Sequence, residues 1–531
     1  MRDLRILAQR RGLAAFRRDE RGGAAVIFAL VAIFLLIPAA LIGLDLYVAS
    51  SQKSRVQDSL DSATLFAARS TATTDAQLKA EGEKALLGNL EIIGGDPAAL
   101  ISYEFKGGNG GRTVIGQATV RPATFINWCR ETRGDKFCWM GGPVTATAVV
   151  DRGGQNLEVA LALDITGSMS GQKIADLKAA AGELIDIVVQ SQQAPFYSKV
   201  AIAPYSMAVN VGPWADQVRG PITAPVAVTA ASKANPVAVT APSHGFSLND
   251  NVYIDSVVGM TELNKNWYKA SNVSANAFDL SGVNGTSFKK YKSGGQAYCT
   301  VEGCQYFLFK SDFKGTDRLF PVTTCATERS GAEAFTDAAP TAALLGRNYA
   351  GSSNPCPAQV IMPLSSDKAA LKAKISSLTA SGSTAGHLGV AWGWYLVSPN
   401  FAYLFTGDQK PAAYGAPDTV KAVVLMTDGA FNTTYCKGVI SKDAGTGSGS
   451  TQDHISCNAP NGDAFSQAKK LCDAMKAKNV VVYTVGFDVG SDAAAKQIMS
   501  ECASSPAHVY NPETGVELKA AFKDIAQELS R

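Results

Sequence analysis

Residues 164 to 170 read Asp-Ile-Thr-Gly-Ser-Met-Ser, a carboxylate followed by three hydroxyls around one glycine. Carboxylate and hydroxyl oxygens are hard donors, suited to Mg²⁺, Mn²⁺ or Ca²⁺ rather than to a thiol-loving metal. The spacing Asp164-x-Thr166-x-Ser168 can place one carboxylate and two hydroxyls on the same side of a turn. The competing use of such a turn is helix capping, in which the same oxygens accept the first backbone N–H groups of the following helix. Two later segments offer oxygens of the same kind. An apolar run, Lys421 to Thr427, ends in Asp428-Gly429, and Thr384 heads the small-residue stretch Ser381-Gly-Ser-Thr384-Ala-Gly-His-Leu-Gly-Val-Ala-Trp-Gly-Trp394.

The elements that must position these residues follow from periodicity. Leu157 to Leu163 is a short, continuous apolar run, as expected of a strand buried on both faces of a parallel sheet. From Lys173, the residues Ile174, Leu177, Ala181, Leu184 and Val188 recur every three or four positions, which predicts a helix. Lys199 to Pro204, Lys421 to Thr427 and Val480 to Gly486 read as further strands. Helices are expected over Ser366–Leu378, after Thr384, over Ala464–Lys478, and at the end of the chain with Leu518, Phe522, Ile525 and Leu529 on one face. Strands alternating with helices make an α/β fold with a doubly wound sheet. Its ligands bind at the carboxyl ends of the strands, where the Asp164 turn lies.

Together these residues resemble the metal-ion-dependent adhesion site (MIDAS) of the von Willebrand factor A (vWA) family, Asp-x-Ser-x-Ser, then a Thr, then an Asp at a later strand end. Carried over, Asp164, Thr166 and Ser168 form the first element, with Thr in place of the usual first Ser, while Thr384 is the middle ligand and Asp428 the last. The resemblance implies a Rossmann-like vWA sheet holding Mg²⁺ (or Mn²⁺ or Ca²⁺). Its three hydroxyls bind the ion directly and its carboxylates act through bound water. It also implies a protein partner that presents an acidic side chain to the ion. An enzyme is not expected: there is no phosphate loop or nucleophile elbow, and the four histidines are scattered. His387, close to Thr384, is the one histidine placed to serve as a base, with packing of the loop as the alternative.

A chain of 531 residues that is 46% hydrophobic and 18% charged is a folded protein of several modules. The net charge of +3 is concentrated at the start, where seven arginines stand against Asp3, Asp19 and Glu20 before residue 22. The remainder is near neutral, so no nucleic-acid surface is implied. No side chain from Gly22 to Leu44 is charged, which is long enough for a transmembrane helix and longer than a signal-peptide core. The arginines should stay cytoplasmic and everything after residue 45 should be exported. All ten cysteines lie beyond that span, an even number that reads as disulfides. Adjacent pairing gives Cys129–Cys138, Cys299–Cys304, Cys325–Cys356, Cys436–Cys457 and Cys472–Cys502. Zinc is the rival, but no Cys-x-x-Cys occurs.

Asp19-Glu-Arg-Gly-Gly-Ala-Ala-Val-Ile-Phe-Ala-Leu30 and Val56-Gln-Asp-Ser-Leu-Asp-Ser-Ala-Thr-Leu-Phe-Ala-Ala68 resemble the amino-terminal module of TadE/TadG-type proteins. Those are accessory membrane proteins of the bacterial tight-adherence (Flp) pilus machinery. The resemblance implies a single-pass protein of the bacterial inner membrane, cytoplasmic at its N-terminus and periplasmic or extracellular beyond, whose partners are pilus or Tad secretion components. A helix near Gln77–Leu90, strands near Ser102–Phe105 and Thr113–Val120, and an edge strand over Pro143–Val150 leading into the main sheet suggest a small α+β stalk. His244-Gly-Phe, Gly259-Met-Thr-Glu-Leu-Asn264 and Phe278-Asp-Leu-Ser-Gly282, among short strands separated by glycines, resemble the FCCH-like β-domain of ubiquitin-activating enzymes, as a fold module only. Residues 299–365 read as a stapled surface region. Residues 432–463, with their Gly445-Thr-Gly-Ser-Gly-Ser450 run, read as a mobile loop beside the site. The expected organisation is a cytoplasmic tail (1–21), a transmembrane anchor (22–46), a TadE/TadG-like helix and stalk (47–150), a vWA domain in two parts (151–221 and 299–531), and an inserted all-β domain (222–298).

Overall fold

The computed structural model describes residues 23–531 apart from 71, 93–97, 99, 109–110, 122–128, 133–134, 139–141, 311–315, 353, 436–458, 491 and 531. The chain divides into two compact units, residues 1–153 and 154–531.

The first unit begins with helix α1 (Gly23–Val31), which passes through a π turn (Ala32–Leu36) into α2 (Ile37–Arg69). Ala25–Arg69 holds a window of mean hydropathy 3.0, so this helix is long and apolar enough to cross a membrane. Val26, Ile27, Phe28, Phe34 and Leu35 are exposed along it. Further on its surface changes character. Val56, Leu60, Ala63 and Ala67 recur at helical spacing and are buried against α3 (Asp75–Ile92) and a sheet of β1 (Leu100–Gly108), β2 (Thr113–Val120) and β3 (Val144–Asp151). That sheet is antiparallel, ordered β1-β2-β3. The strand expected to lead into the main sheet therefore stays at the edge of this small one: its alternating pattern fits a sheet with one covered face. Cys129 and Cys138 face each other in a short hairpin, but their side chains lie outside the described residues.

The second unit is built on a six-stranded sheet. Its strands are β4 (Asn156–Asp164), β5 (Ser198–Tyr205), β6 (Met362–Ser365), β7 (Thr419–Thr427), β8 (Val481–Gly486) and β9 (Val509–Tyr510), in the order β6-β5-β4-β7-β8-β9. All pairs are parallel except β6 with β5. Every residue of β4 is buried. One face, with Val159, Leu161 and Val424, packs on α4 (Gln172–Val188), α5 (Lys368–Ser376) and α9 (Gly515–Leu529). The other, with Ala160, Ala162 and Leu425, packs on α6 (Gly386–Val397), α7 (Ala464–Lys476) and α8 (Ala493–Cys502).

Helix α6 is buried along all twelve residues. Its glycines let it lie against the sheet backbone: a Cβ at Gly389 would stand 2.4 Å from the Tyr205 ring, and one at Gly393 2.8 Å from Val423. Helices α5, α7, α8 and α9 each begin at a side-chain cap, Asp367, Asp463, Asp492 and Thr514.

Seven short antiparallel strands between Val226 and Cys299 form a separate sheet, with its own core of Val237, Val252, Ile254, Phe278 and Leu280. Its first strand, Val226–Ala227, pairs with its last, Ser293–Cys299. Residues 299–365 are not merely a surface region. Cys325, Ala326, Leu345, Ile361 and Leu364 enter the main core, and β6 becomes the sheet's edge strand. That strand was hidden by its shortness and by a proline, which edge strands tolerate. Disulfides Cys299–Cys304, Cys325–Cys356 and Cys472–Cys502 form as adjacent pairing requires. Cys436 and Cys457 lie outside the described residues.

Near the amino ends of the central strands, Lys421 of β7 faces Glu158 of β4 and ion-pairs with it, both buried. Glu158 also accepts from Tyr197 Oη at 3.0 Å and the Ala412 N–H at 2.9 Å, and Lys421 donates to the Val397 carbonyl at 2.9 Å. Burial lowers the Lys421 pKa, which means that its ammonium depends on Glu158. Removing one partner strands the other charge, so Lys421→Met should lower the unfolding free energy by about 3–5 kcal/mol. The double variant Glu158→Leu/Lys421→Met should recover most of that loss. Urea unfolding of the two variants beside the native chain measures the difference.

Candidate functional site

The site lies at the carboxyl ends of β4 and β7. The parallel register that sets Leu163 beside Met426 brings Asp164 and Asp428, each just past that pair, to the same end of the sheet. Asp164 is completely buried, and Asp428 retains 7% of its surface.

The turn after Asp164 is not a helix cap. Helix α4 starts at Gly171, which sits at φ +81°, where glycine is at ease, and offers no side-chain cap. The oxygens of Asp164, Thr166 and Ser168 are therefore left for other partners. Asp164 Oδ1 accepts the Thr166 N–H at 2.9 Å, and Oδ2 accepts the Thr427 hydroxyl at 2.7 Å. Thr166 Oγ1 and Ser168 Oγ are hydrogen-bonded at 2.9 Å, and Ser168 Oγ donates to Asp428 Oδ1 at 2.6 Å. Ser168 is exposed, so this chain of hydroxyls opens to solvent. The other oxygen of Asp428, Oδ2, meets Lys173 Nζ at 3.1 Å.

The loop that carries Thr384 is tied to the Asp164 turn by its backbone. The Gly167 N–H donates to the Gly382 carbonyl at 2.8 Å, and the Ser381 N–H to the Ile165 carbonyl at 2.8 Å. Gly382 sits at φ +85° with Asn354 and Ser206 close against it. Asn354, buried, clamps the next residue from both sides: its Nδ2 donates to Ser383 Oγ at 2.6 Å and its Oδ1 accepts the Ser383 N–H at 3.1 Å. From the third loop, Asn432 Oδ1 accepts the Thr384 N–H at 2.9 Å, and the N–H groups of Asn432 and Thr433 return to the Thr384 carbonyl at 2.9 and 3.1 Å. The structure thus joins Asp164, Thr166, Ser168 and Asp428 in one hydrogen-bonded group and binds the Thr384 loop to both neighbours by its backbone. Asn354, Asn432 and Thr427 were missed in the sequence. Only Asn432 carried a local signal, four residues after Asp428.

Electrostatics mark the place. Burial, and then the nearby Asp428 charge, push the Asp164 carboxyl up to about 6. The same surroundings raise the Tyr205 phenol well above its usual range, chiefly through burial and then through Asp164. Among the described residues no Lys or Arg pairs with Asp164, and Lys173 alone faces Asp428. Of the two carboxylates, only Asp428 meets an ammonium among the described residues. Among the described residues no three His, Cys, Asp or Glu side chains converge; the oxygens gathered here are two carboxylates and the hydroxyls of Thr166, Ser168 and Thr427. Such a set is hard and oxygen-only, the chemistry that Mg²⁺ and Ca²⁺ accept and zinc does not favour.

His387 is not part of this group. It is buried on α6, with Nε2 at 2.9 Å from Glu328 Oε1. Glu328 also accepts the Tyr435 N–H at 3.0 Å, so the pair fastens the segment after Asp428 to the helix. This is the packing role.

Residues 235–300 match the family of the ubiquitin-activating enzyme E1 FCCH domain. No curated protein matches the chain. Among solved structures, the chain is similar to the vWF domain of the type V pili tip protein Mfa5 from Porphyromonas gingivalis, at 12% identity and a TM-score of 0.33 over 71% of this chain and 96% of that one. It is similar to the pilus adhesin SpaC from Lactobacillus rhamnosus GG, at 11% identity and a TM-score of 0.31 over 82% of this chain and 35% of that one. The pilus adhesin RrgA from Streptococcus pneumoniae gives 10% identity and a TM-score of 0.31 over 80% and 49%. Superpositions this loose carry no weight for the fold, which rests on strand order and packing.

Proposed function

We propose that this chain is a membrane-anchored, exported protein that captures a partner protein through a divalent-cation site, in assembly, anchoring or adhesion of a Flp (tight-adherence) pilus. The observation that carries the reading is the fully buried Asp164 carboxylate, beside Asp428, with no cation of its own among the described residues and with a chain of hydroxyls that opens to solvent at Ser168. Burying ionised carboxylates together is costly unless positive charge is supplied. Thr166, Ser168 and Thr384 would hold a divalent ion through their hydroxyls, and Asp164 and Asp428 through bound water, in the vWA manner that the sequence resembles. Mg²⁺ suits six oxygens, with Mn²⁺ and Ca²⁺ as alternatives. Bound there, the ion would supply Lewis acidity toward an outside Asp or Glu.

The rest is the work of the chain's own groups. Thr427 and the Thr166 N–H hold Asp164 in one orientation. Ser168 holds Asp428 and lies exposed at the mouth, where a partner's carboxylate would arrive. Binding rather than catalysis fits this arrangement, because the nearby His387 is buried and engaged with Glu328. The apolar α1–α2 helix supports a single membrane anchor, with the arginine-rich start on the cytoplasmic side. The disulfides support export to an oxidising compartment.

Asp164→Asn keeps the shape and, through its one oxygen, the Thr166 hydrogen bond, removes the charge, and makes the Thr427 hydroxyl accept where it had donated. It should weaken Mn²⁺ binding about 10–100-fold, as read by titration calorimetry, on the scale of losing one ligand's support. It should leave the circular dichroism spectrum unchanged. Equal Mn²⁺ affinity in this variant would end the reading.

A second outcome follows from linkage. The folded Asp164 carboxyl binds protons more tightly than the unfolded one, being pushed up to about 6 from an ordinary 3.8. In chelator, stability should therefore rise as pH falls from 7 toward 4 and fall as pH rises through 6. Asp164→Asn should flatten that slope. Denaturant midpoints between pH 4 and 7 check it.

A further inference from the structure

Lys173 is the second residue of α4, and its ammonium stands between two carboxylates, Asp428 Oδ2 at 3.1 Å and Asp488 Oδ2 at 3.0 Å. The two acids differ. The Asp428 side chain is 1% exposed and its other oxygen takes the Ser168 hydroxyl, so it belongs to the ion site. The Asp488 side chain is 49% exposed on the turn after β8, at φ +52°, a conformation that an aspartate adopts only at some cost. The Lys173 side chain is 29% exposed and its ammonium lies over the Phe487 ring, 6.0 Å from the ring centre.

The charges at the mouth can be counted. Asp164 and Asp428 with Lys173 sum to −1, and Asp488 brings the sum to −2. A divalent ion must share Asp428 with a lysine ammonium already in contact with it, and unit charges a few ångströms apart interact by kilocalories at a partly buried site. Asp488 pulls on the same ammonium from the solvent side. We infer that Lys173 and Asp488 form an affinity-setting pair for the cation site: Lys173 is a built-in competitor for Asp428, and Asp488 relieves that competition. This inference rests on the reading that Asp164 and its neighbours hold a divalent ion. A plain surface ion pair, by contrast, contributes little and would leave the site indifferent to its loss.

The test uses the detergent-solubilised full chain with Mn²⁺ as probe. Lys173→Met should tighten Mn²⁺ binding about tenfold, Asp488→Asn should weaken it several-fold, and Lys173→Arg should stay near the native value. The melting temperature in EDTA supplies a metal-free reading: Lys173→Met should melt lower there, because its carboxylates lose their ammonium, and should gain more than the native chain on adding Mn²⁺. Opposite signs for the Met and Asn variants are the decisive result, since a role in folding alone would move both the same way. Unchanged or weakened Mn²⁺ binding in Lys173→Met, or tightened binding in Asp488→Asn, overturns the pair. If the native chain and Asp164→Asn bind Mn²⁺ alike, the ion site itself fails. If only Asp164→Asn loses it while these variants stay level, this inference alone fails.

Discussion

Asp164 and Asp428 stand together at the carboxyl ends of neighbouring parallel strands because the register that sets Leu163 beside Met426 leaves them no other place. A carboxylate sealed from water there needs donors, and a second one beside it makes the need greater. The fold answers with a hydroxyl from Thr427 and the Thr166 N–H for Asp164, and with the Ser168 hydroxyl and a single lysine for Asp428, and no cation pairs with Asp164 among the described residues. Much of the surrounding design follows. The helix start moves to Gly171 so that the turn's oxygens are not spent on capping, whereas α5, α7, α8 and α9 are capped by side chains in the ordinary way.

The two ends of the same strands make an instructive contrast. Near the amino ends, Glu158 and Lys421 form a closed arrangement in which the carboxylate, the ammonium and nearby backbone groups satisfy one another. Nothing is left over, and such a pair acts on folding alone. At the carboxyl ends the same sheet carries two acids, one ammonium and a route to solvent. The imbalance, rather than the presence of charge, separates a site from a structural pair.

How much of this could be read beforehand depended on range. Asp164 and Asp428 were visible because each ends an apolar run, and the strand period shows where such a run stops. Thr384 has no such local mark, and its place came from likeness to a known motif. Asn354 acts through contacts between loops distant in sequence, which no local pattern records, and Asn432 had only its nearness to Asp428 to mark it. Asn354 sat in a segment read as surface, since residues 299–365 lack periodicity even though Cys325, Ile361 and Leu364 are core residues. Nothing local in the sequence marks Lys173, because its partners arrive from just past β7 and from the turn after β8. The alternation in Val144–Asp151 gave a strand correctly but not its neighbour, since the period identifies a face and not a partner.

One feature of the inserted sheet bears on how such a chain can change. Its entering strand, Val226–Ala227, is zipped to its leaving strand, Ser293–Cys299, and Cys299–Cys304 rivets the exit. The host therefore sees a doorway one strand pair wide, whatever is built behind it. Because the entropy of closing a loop grows only with the logarithm of its length, the cassette can be enlarged, trimmed or exchanged at little expense to the scaffold that carries it.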